Sequence, residues 1–342
     1  MDAPAPQAPT VTRFDVITWL AAAVALLLIL RLHLLPSLLS GLLVFELVNL
    51  MVPGLRLRAL GSEGARVLAV VLIASGVIAA MTATGFALTS FFRHSDESVP
   101  ALFQSLAQSV EKSREQLPAW LLGYLPDSAE ELRVQATTWL REHADTFQLA
   151  GESLGRGLAH VLIGMIIGAL LSLQMIGPPP RVRPLGAAIY ERAARVSIAF
   201  RNVVFAQISI SAINTVFTAV YLAVLLPMFG VHLPLTKTMI LVTFIAGLIP
   251  ILGNLTSNTV IVIVSLSNSL AVALASLVYL IVIHKLEYFL NARIVGSRIN
   301  ARAWELLLAM LVMEAAFGLP GLVAAPIYYA YFKTELREKG LI

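Results

Sequence analysis

Residues 236–266 read TKTMILVTFIAGLIPILGNLTSNTVIVIVSL, and this stretch decides the fold. It is apolar enough to enter a lipid bilayer, but Gly247, Pro250, Gly253 and Asn254 interrupt it near the middle. Each arm is then only about 14 residues, or roughly 21 Å of helix, whereas a membrane span needs about 20 residues. The pattern predicts two short helices joined by a break, forming a hairpin that is either re-entrant or fully spanning.

A second interrupted stretch covers residues 303–332, where GLPG at 318–321 separates two apolar arms. Backbone N–H and C=O groups that face hydrocarbon without a partner cost several kcal/mol each. Broken helices therefore persist in membranes only where protein or a water-filled cavity satisfies the freed groups. In transporters such breaks bind solutes or ions. We predict that the two breaks are the site of function.

The whole chain is strongly apolar, with 58% hydrophobic and 13% charged residues among 342 and a mean hydropathy of +0.84. A soluble domain does not hide so much apolar surface. We therefore predict an all-α polytopic membrane protein with about six full spans beside the two broken hairpins. Cysteine is absent, which excludes disulfides, thiolate metal sites and iron–sulfur clusters. We expect neither a cofactor nor a metal.

Clusters of arginine and lysine indicate the orientation, because basic residues in short loops stay in the cytoplasm. Arg56, Arg58 and Arg66 follow the second span, whereas residues 92–150 carry an excess of acidic side chains and are expected on the outer face. This outer segment reads as an amphipathic helical insert that lies on the bilayer or on a neighbouring subunit. Both termini are then cytoplasmic. The basic residues flank apolar spans, so nucleic acid is not an expected partner.

The predicted organisation has five parts. A disordered tail (1–14) precedes spans one to three (15–91) and the outer segment (92–150). A transport core (151–335) contains both hairpins, and a short cytoplasmic tail (336–342) follows. A full span precedes each hairpin, and the two pairs enter from opposite faces of the membrane. This is the topology of an inverted repeat.

Uncharged polar groups follow the first break. Their hydroxyl and amide groups suit a neutral polar solute or a partly dehydrated monovalent cation, or they serve only to complete the turn. Glu46 in span two and Glu314 before the second break are intramembrane carboxylates, which either mark a proton or cation route or pair with an arginine. The predicted solute or ion pathway consists of Pro250, Gly253, Asn254, Ser257, Asn258, Glu314, Gly318, Pro320 and Gly321.

A further polar cluster falls at the inner end of a span and consists of Glu287, Asn291 and Arg293. It is either a gating cluster or an ordinary anchor at the membrane surface. No GxxxxGK[ST] or HExxH motif occurs, and the histidines lack the spacing of metal ligands. The sequence therefore argues against a primary pump and against an enzyme.

Three blocks of sequence resemble a known family. They are IPILG (249–253), EYFLNARIVG (287–296) and FGLPG (317–321), with Pro326 further along the chain. In order and spacing they are similar to the signature blocks of the autoinducer-2 exporter family of bacterial permeases. The resemblance implies a multispan inner-membrane protein that assembles as a homo-oligomer, namely a pentamer. It also implies two alternative activities: export of the quorum-sensing signal autoinducer-2, and tolerance of sodium or lithium through proton antiport.

The leading hypothesis is a secondary transporter that moves a small polar solute by alternating access. Antiport of sodium or lithium against protons, through Glu314 or Glu46, is the alternative within transport. A non-transporting membrane scaffold, whose outer helices recruit a partner, is the alternative outside it. The expected partners are thus the bilayer, a small polar solute or a monovalent cation with protons, and further copies of the chain.

Overall fold

In the computed structural model, every regular secondary-structure element in the described part of the chain is a helix. The described residues are 11–55, 61, 63–83, 85–86, 131, 134, 138, 141–142, 144–174, 183–249, 252–299 and 301–342; for 144–151, 154, 252, 287–299 and 303 the backbone alone is described. The predicted fold class, an all-α polytopic membrane protein, is confirmed.

Within these ranges, five helices are long and apolar enough to cross a bilayer. They are α1 (Arg13–Arg31), α2 (Leu35–Leu55), α3 (Glu63–Ala83), α4 (Ala144–Gln174) and α5 (Pro184–Val220). A π turn at Tyr221–Leu225 carries α5 on to Met228. Many large apolar side chains of these helices are exposed, as expected for surfaces that face lipid.

Four helices form two hairpins, with one longer helix between them. The helices are α6 (Thr236–Gly247), α7 (Leu252–Leu266), α8 (Leu270–Ile299), α9 (Ala303–Phe317) and α10 (Leu319–Glu338). The two arms of each hairpin, α6 with α7 and α9 with α10, pack against one another. The helices break between Gly247 and Leu252 and again at Gly318, where glycine and proline interrupt the apolar pattern.

The chain forms two compact units. Unit one consists of Met1–Ala79, Leu154–Ala206 and Val295–Ile342, and it contains the second hairpin. Unit two consists of Ala80–Ser153 and Gln207–Ile294, and it contains the first hairpin. Each hairpin therefore lies within one unit.

The core of unit one is formed by α1, α5 and α10. Its most buried apolar side chains include Leu30, Phe200, Ala324, Ile327 and Tyr331. Beside this core, α2 and α4 cross at very short range. A Cβ added to a glycine at the crossing would overlap the facing backbone carbonyls. Small residues at such a crossing let two membrane helices approach and gain van der Waals contact.

The core of unit two joins the end of α5 to the first hairpin and to α8. Its buried side chains include Tyr221, Leu222, Met239, Ile261 and Leu280. These contacts hold the first hairpin against α5, which sets the geometry of the break described below. The predicted outer insert lies mostly outside the described residues, as do positions 1–10 of the predicted tail.

Candidate functional site

A stripe of polar side chains runs along the second half of α5 and its π turn. Its members recur every three or four residues and so share one face of the helix: Gln207, Ser211, Asn214, Thr218 and Tyr221. Gln207 is half-buried and the other four are buried. The polar stripe extends over about 21 Å of helix. Buried polar groups need partners. Gln207, Ser211 and Asn214 bond to the first hairpin, and Tyr221 bonds to α8.

The first part of the polar stripe binds the broken end of α6. The helix ends at Gly247, and the N–H of Leu248 bonds only three residues back, which leaves the carbonyl of Phe244 without its usual helical partner. Ser211 Oγ donates to the Phe244 carbonyl at 2.7 Å. Gln207 Nε2 donates to the Gly247 carbonyl at 2.7 Å. Side chains of α5 thus replace hydrogen bonds that the backbone loses at the break.

The other side of the break is bound in the same way. Asn214 Nδ2 donates to Asn254 Oδ1 at 2.9 Å. Ser257 is buried on the next turn of α7, and its hydroxyl donates to the Asn254 carbonyl at 3.3 Å. A Cβ at Gly253 would overlap the carbonyl of Ala246, so glycine is needed for the close approach of the two arms. That approach brings Asn254 within reach of α5.

The far end of the polar stripe joins a cluster of hydroxyl groups. The Tyr221 hydroxyl lies 2.9 Å from Ser276 Oγ, which lies 2.8 Å from Ser265 Oγ. The ring of Tyr279 stacks on that of Tyr221 at 4.1 Å between centroids, and its hydroxyl donates to the Phe217 carbonyl at 3.0 Å. Hydroxyl groups from α5, α7 and α8 therefore continue the polar surface beyond the break.

Pro227 accounts for the π turn at the end of α5. Pro227 has no N–H and its ring crowds the preceding turn, so the regular ladder cannot pass through it. The N–H of Leu226 bonds instead to the Tyr221 carbonyl, five residues back, which defines the π turn. Single π turns are frequent at functional sites because they free backbone groups within a helix.

The polar groups at this site are uncharged. The sequence contains no acidic residue between positions 202 and 286, and the polar stripe consists of amides and hydroxyls. In the described part of the chain, no group of three or more His, Asp or Glu side chains is arranged to hold a metal. The site offers directed hydrogen bonds without a fixed charge, which matches a neutral solute better than a divalent ion.

The second break, in unit one, is a tight backbone feature. Gly318 adopts φ 64° and ψ −147°, and its N–H bonds to the Glu314 carbonyl at 2.6 Å. A Cβ at Gly321 would overlap the Met313 carbonyl, so this hairpin also depends on a glycine between its arms. Pro320 is half-buried in the first turn of α10, and the Glu314 side chain is exposed.

Glu46 is the more buried of the two predicted intramembrane carboxylates. Its side chain lies within unit one, where Ser197 Oγ donates to Glu46 Oε1 at 2.6 Å. Arg201 Nη1 lies 3.6 Å from the other carboxylate oxygen. The pairing with an arginine, which the sequence left open, is therefore present at Glu46.

The predicted site residues fall in different places. Asn254 bonds to the polar stripe, and Gly253 and Ser257 support its position. Asn258 is half-buried on α7. Pro250 lies outside the described residues. The predicted inner-end cluster lies in α8, but the side chains of its members are outside the described part: Glu287, Asn291 and Arg293.

Sequence reasoning missed the α5 side of this site. Gln207, Ser211 and Asn214 carry a signal, because polar residues at i, i+4 and i+7 share one face of a helix. Mean hydropathy over a window hides that periodicity, so the full span before the first hairpin is predicted from sequence as an ordinary apolar crossing.

An all-helical, multi-pass chain with a buried, uncharged polar stripe facing a broken helix has the features of a membrane transporter. The family model described as AI-2E family transporter matches residues 17–339, which include every helix from α2 to α10 and most of α1. The chain belongs to this family, which confirms the resemblance seen in the sequence. Neither the comparison with curated proteins nor that with solved structures yields a match.

Proposed function

We propose that the protein is a secondary permease that moves a small polar solute by alternating access, and that the solute binds where the polar stripe meets the first break. One observation carries this proposal: side chains of α5 satisfy the carbonyls of Phe244 and Gly247. A change of rotamer releases such a carbonyl, whereas a backbone hydrogen bond yields only when the helix itself moves. A solute donor can then take the place of Ser211 or Gln207.

The bilayer strengthens this argument. A carbonyl that faces hydrocarbon without a donor costs several kcal/mol. The side chains of α5 can therefore release the carbonyls at the break only when another donor bonds to these carbonyls. Exchange of one donor for another keeps the cost of binding low and makes release reversible. The uncharged groups around the break favour a neutral solute over a strongly hydrated cation.

The family supports a finer version of the proposal, with autoinducer-2 as the solute and a pentamer in the bacterial inner membrane as the assembly. The distribution of lysine and arginine supports cytoplasmic N- and C-termini. The proposed pathway comprises Pro250, Gly253, Asn254, Ser257 and Asn258 of the first hairpin and Glu314, Gly318, Pro320 and Gly321 of the second, with Glu287, Asn291 and Arg293 of α8 at its inner end.

Transport by the purified protein in liposomes tests the proposal. Efflux of autoinducer-2 and of a panel of neutral polyols is followed with and without a pH or sodium gradient. We expect Asn214→Leu, which removes the hydrogen bond to Asn254, to lower the efflux rate about tenfold, the equivalent of one hydrogen bond of roughly 1.4 kcal/mol.

Thr259→Val is the matched control. Thr259 lies on the same helix as Asn254, is exposed, and donates its hydroxyl only to the Leu255 carbonyl of its own helix, at 2.8 Å. The efflux rate of the Thr259→Val variant should equal that of the wild type. Equal rates in Asn214→Leu and Thr259→Val would reject the proposed site, and no efflux of any solute from wild-type liposomes would reject the permease.

Glu46 supports a second candidate function, antiport of sodium or lithium against protons. A buried carboxylate held by Ser197 and Arg201 can exchange a proton if the ion pair opens, and such groups mark proton routes in membrane proteins. Glu46→Gln should then abolish sodium-driven proton movement, whereas Glu63→Gln, at the exposed start of α3, should leave it unchanged. Sodium-driven proton movement that persists in Glu46→Gln would reject antiport through this residue.

A further inference from the structure

A cluster of ion pairs in unit one joins helices from the two ends of the chain. Arg192 of α5 pairs with carboxylates of two other helices: its Nη2 is 2.7 Å from Asp15 Oδ1 of α1, and its Nη1 contacts Glu335 Oε2 of α10. Arg195 Nη1 reaches the same Glu335 oxygen at 2.5 Å. Lys339 Nζ, just beyond α10, lies 3.0 Å from Asp15 Oδ2. These five residues form the ion-pair cluster.

The ion-pair cluster is deeply buried at its centre. The side chains of Arg192, Asp15 and Glu335 are 3%, 6% and 1% exposed. Trp19 Nε1 also donates to Glu335 at 3.0 Å, and the Arg192 guanidinium lies 5.8 Å from the centre of the Trp19 ring. Buried ion pairs lose hydration on folding, and apolar side chains of similar volume are often as stable or more stable. Stability alone therefore does not explain the cluster.

Hydrogen bonding within the cluster is uneven. Donors from Trp19, Arg192 and Arg195 all meet the same oxygen of Glu335, Oε2. Among the described residues, no protein group bonds to Glu335 Oε1 or to Arg192 Nε. A carboxylate with two oxygens and a guanidinium with five donors can redistribute these bonds in another arrangement. A packed element with two available arrangements is what a conformational switch requires.

The cluster also lies at a functional position in the chain. Glu335 is on α10, the second arm of the second hairpin, and Arg192 is on α5, the helix whose later half carries the polar stripe. Beside the cluster is a cavity of about 70 Å³, lined by Arg195, Ile198, Ala199, Asn202, Ala330, Thr334 and Glu338. The cavity leaves room for side chains of α5 and α10 to rearrange without first unpacking the core.

We propose that the ion-pair cluster is a releasable lock that holds the end of α10 against α1 and α5 in one transport conformation, and that it is closed in this structure. The proposal rests on the permease function above, because alternating access requires closures that form and open in turn. Opening the lock frees α10, and with it the second hairpin, to move relative to α1 and the first half of α5 within unit one.

A second ionic contact in unit one supplies a control. Glu305 accepts from the Tyr329 hydroxyl at 2.6 Å and pairs with Lys333, so it links α9 to α10 inside the second hairpin. Neutralising Glu305 weakens the hairpin itself but removes no contact between α10 and α1 or α5. The two sites therefore separate a lock from a general effect of losing a salt bridge.

Labelling of a single cysteine tests the lock, because the chain has no cysteine of its own. Asn202→Cys lies at the cavity, and a membrane-impermeant maleimide reports its exposure in membrane vesicles. We expect Glu335→Gln or Arg192→Gln to raise the labelling rate about tenfold by shifting the population toward the open state. Glu305→Gln should leave the rate unchanged. Equal labelling rates in all variants with unchanged thermal unfolding would overturn the proposal.

A reversible cross-link provides a second test of the lock. Arg192→Cys with Glu335→Cys, joined by a bifunctional methanethiosulfonate, should stop efflux of autoinducer-2 or of the transported polyol until a reductant is added. Efflux that continues through the cross-linked protein would overturn the lock. If the wild type carries no solute, the permease proposal fails, while the labelling comparison still decides the lock because it needs no substrate.

Discussion

Gly318 adopts φ 64° and ψ −147°, a backbone conformation that residues with a Cβ rarely occupy. We expect Gly318→Ala to lower the free energy of unfolding by about 1–3 kcal/mol, because the strain is local and the break cannot relax without moving α9 or α10. Thermal unfolding of the purified protein in detergent measures the effect. Gly54→Ala, where an added Cβ meets nothing within 4 Å, is the control. Equal melting temperatures for the two variants would contradict this reading of the break.

Single residues were predictable from the sequence where they act on their own backbone. The glycines and prolines mark the two breaks directly in the sequence, since their effect on the backbone is local. Asn214 and Arg192 were not predictable in the same way, because their partners lie 40 and 143 positions away. Arg192 looks like any basic residue next to a membrane span, and only the packing of α1, α5 and α10 shows that it is buried.

At the scale of helices, the crossing of α2 and α4 depends on glycine. A Cβ at Gly168 would overlap the carbonyl of Gly41, which would force the two helices apart. We expect Gly168→Ala to destabilise the protein by about 1–3 kcal/mol through this overpacking. Gly76→Ala, on α3 with open space around it, should not destabilise the protein, because alanine favours the helix over glycine. A melting temperature of Gly168→Ala equal to that of Gly76→Ala would show that the crossing is looser than described.

The contact between α5 and the first hairpin makes a separate prediction. Ser211→Ala leaves the Phe244 carbonyl without its donor, so amide exchange at the end of α6 should become faster by about five- to tenfold, the equivalent of roughly 1 kcal/mol. Hydrogen–deuterium exchange with mass spectrometry measures it. Thr215→Ala is the control, because Thr215 donates only to the Ser211 carbonyl of its own helix. Similar exchange in both variants would mean that Ser211 does not hold the break.

Helices were more predictable than the contacts between them. Long apolar runs identified α1 to α5, and interrupted runs identified both hairpins, because crossing hydrocarbon requires length and apolar composition. That reasoning did not predict the π turn before Pro227 or the polar stripe on α5. Both depend on which face of a helix meets a neighbour, which the average hydropathy of a span does not contain.

At the scale of the whole molecule, charge distribution predicts the orientation in the membrane. Lysine and arginine collect beside the predicted inner loops, and acidic residues collect in 92–150. Alkaline phosphatase, which is active only outside the cytoplasm, should therefore be active when fused at residue 120 and inactive when fused after Ile342. The opposite pattern of activity would contradict this orientation.

The two hairpins share one packing device in spite of different sequences. In each, a glycine of the second arm lies directly on a carbonyl of the first: Gly253 on Ala246 in unit two, and Gly321 on Met313 in unit one. The shared device supports the inverted repeat that hydropathy and charge predict, which remains a prediction. Family membership was recognisable from three short blocks, two of which, IPILG and FGLPG, include the breaks.

The central claim is that the first break is a solute site reached from both sides of the membrane in turn. Asn254→Cys in the otherwise cysteine-free chain, labelled with a membrane-impermeant maleimide from either face of oriented vesicles, tests it most directly. We predict labelling from both faces, slowed by the transported solute and not by a solute that is not transported, with Thr259→Cys unaffected by either. Labelling from neither face, or labelling that no transported solute slows, would contradict the claim.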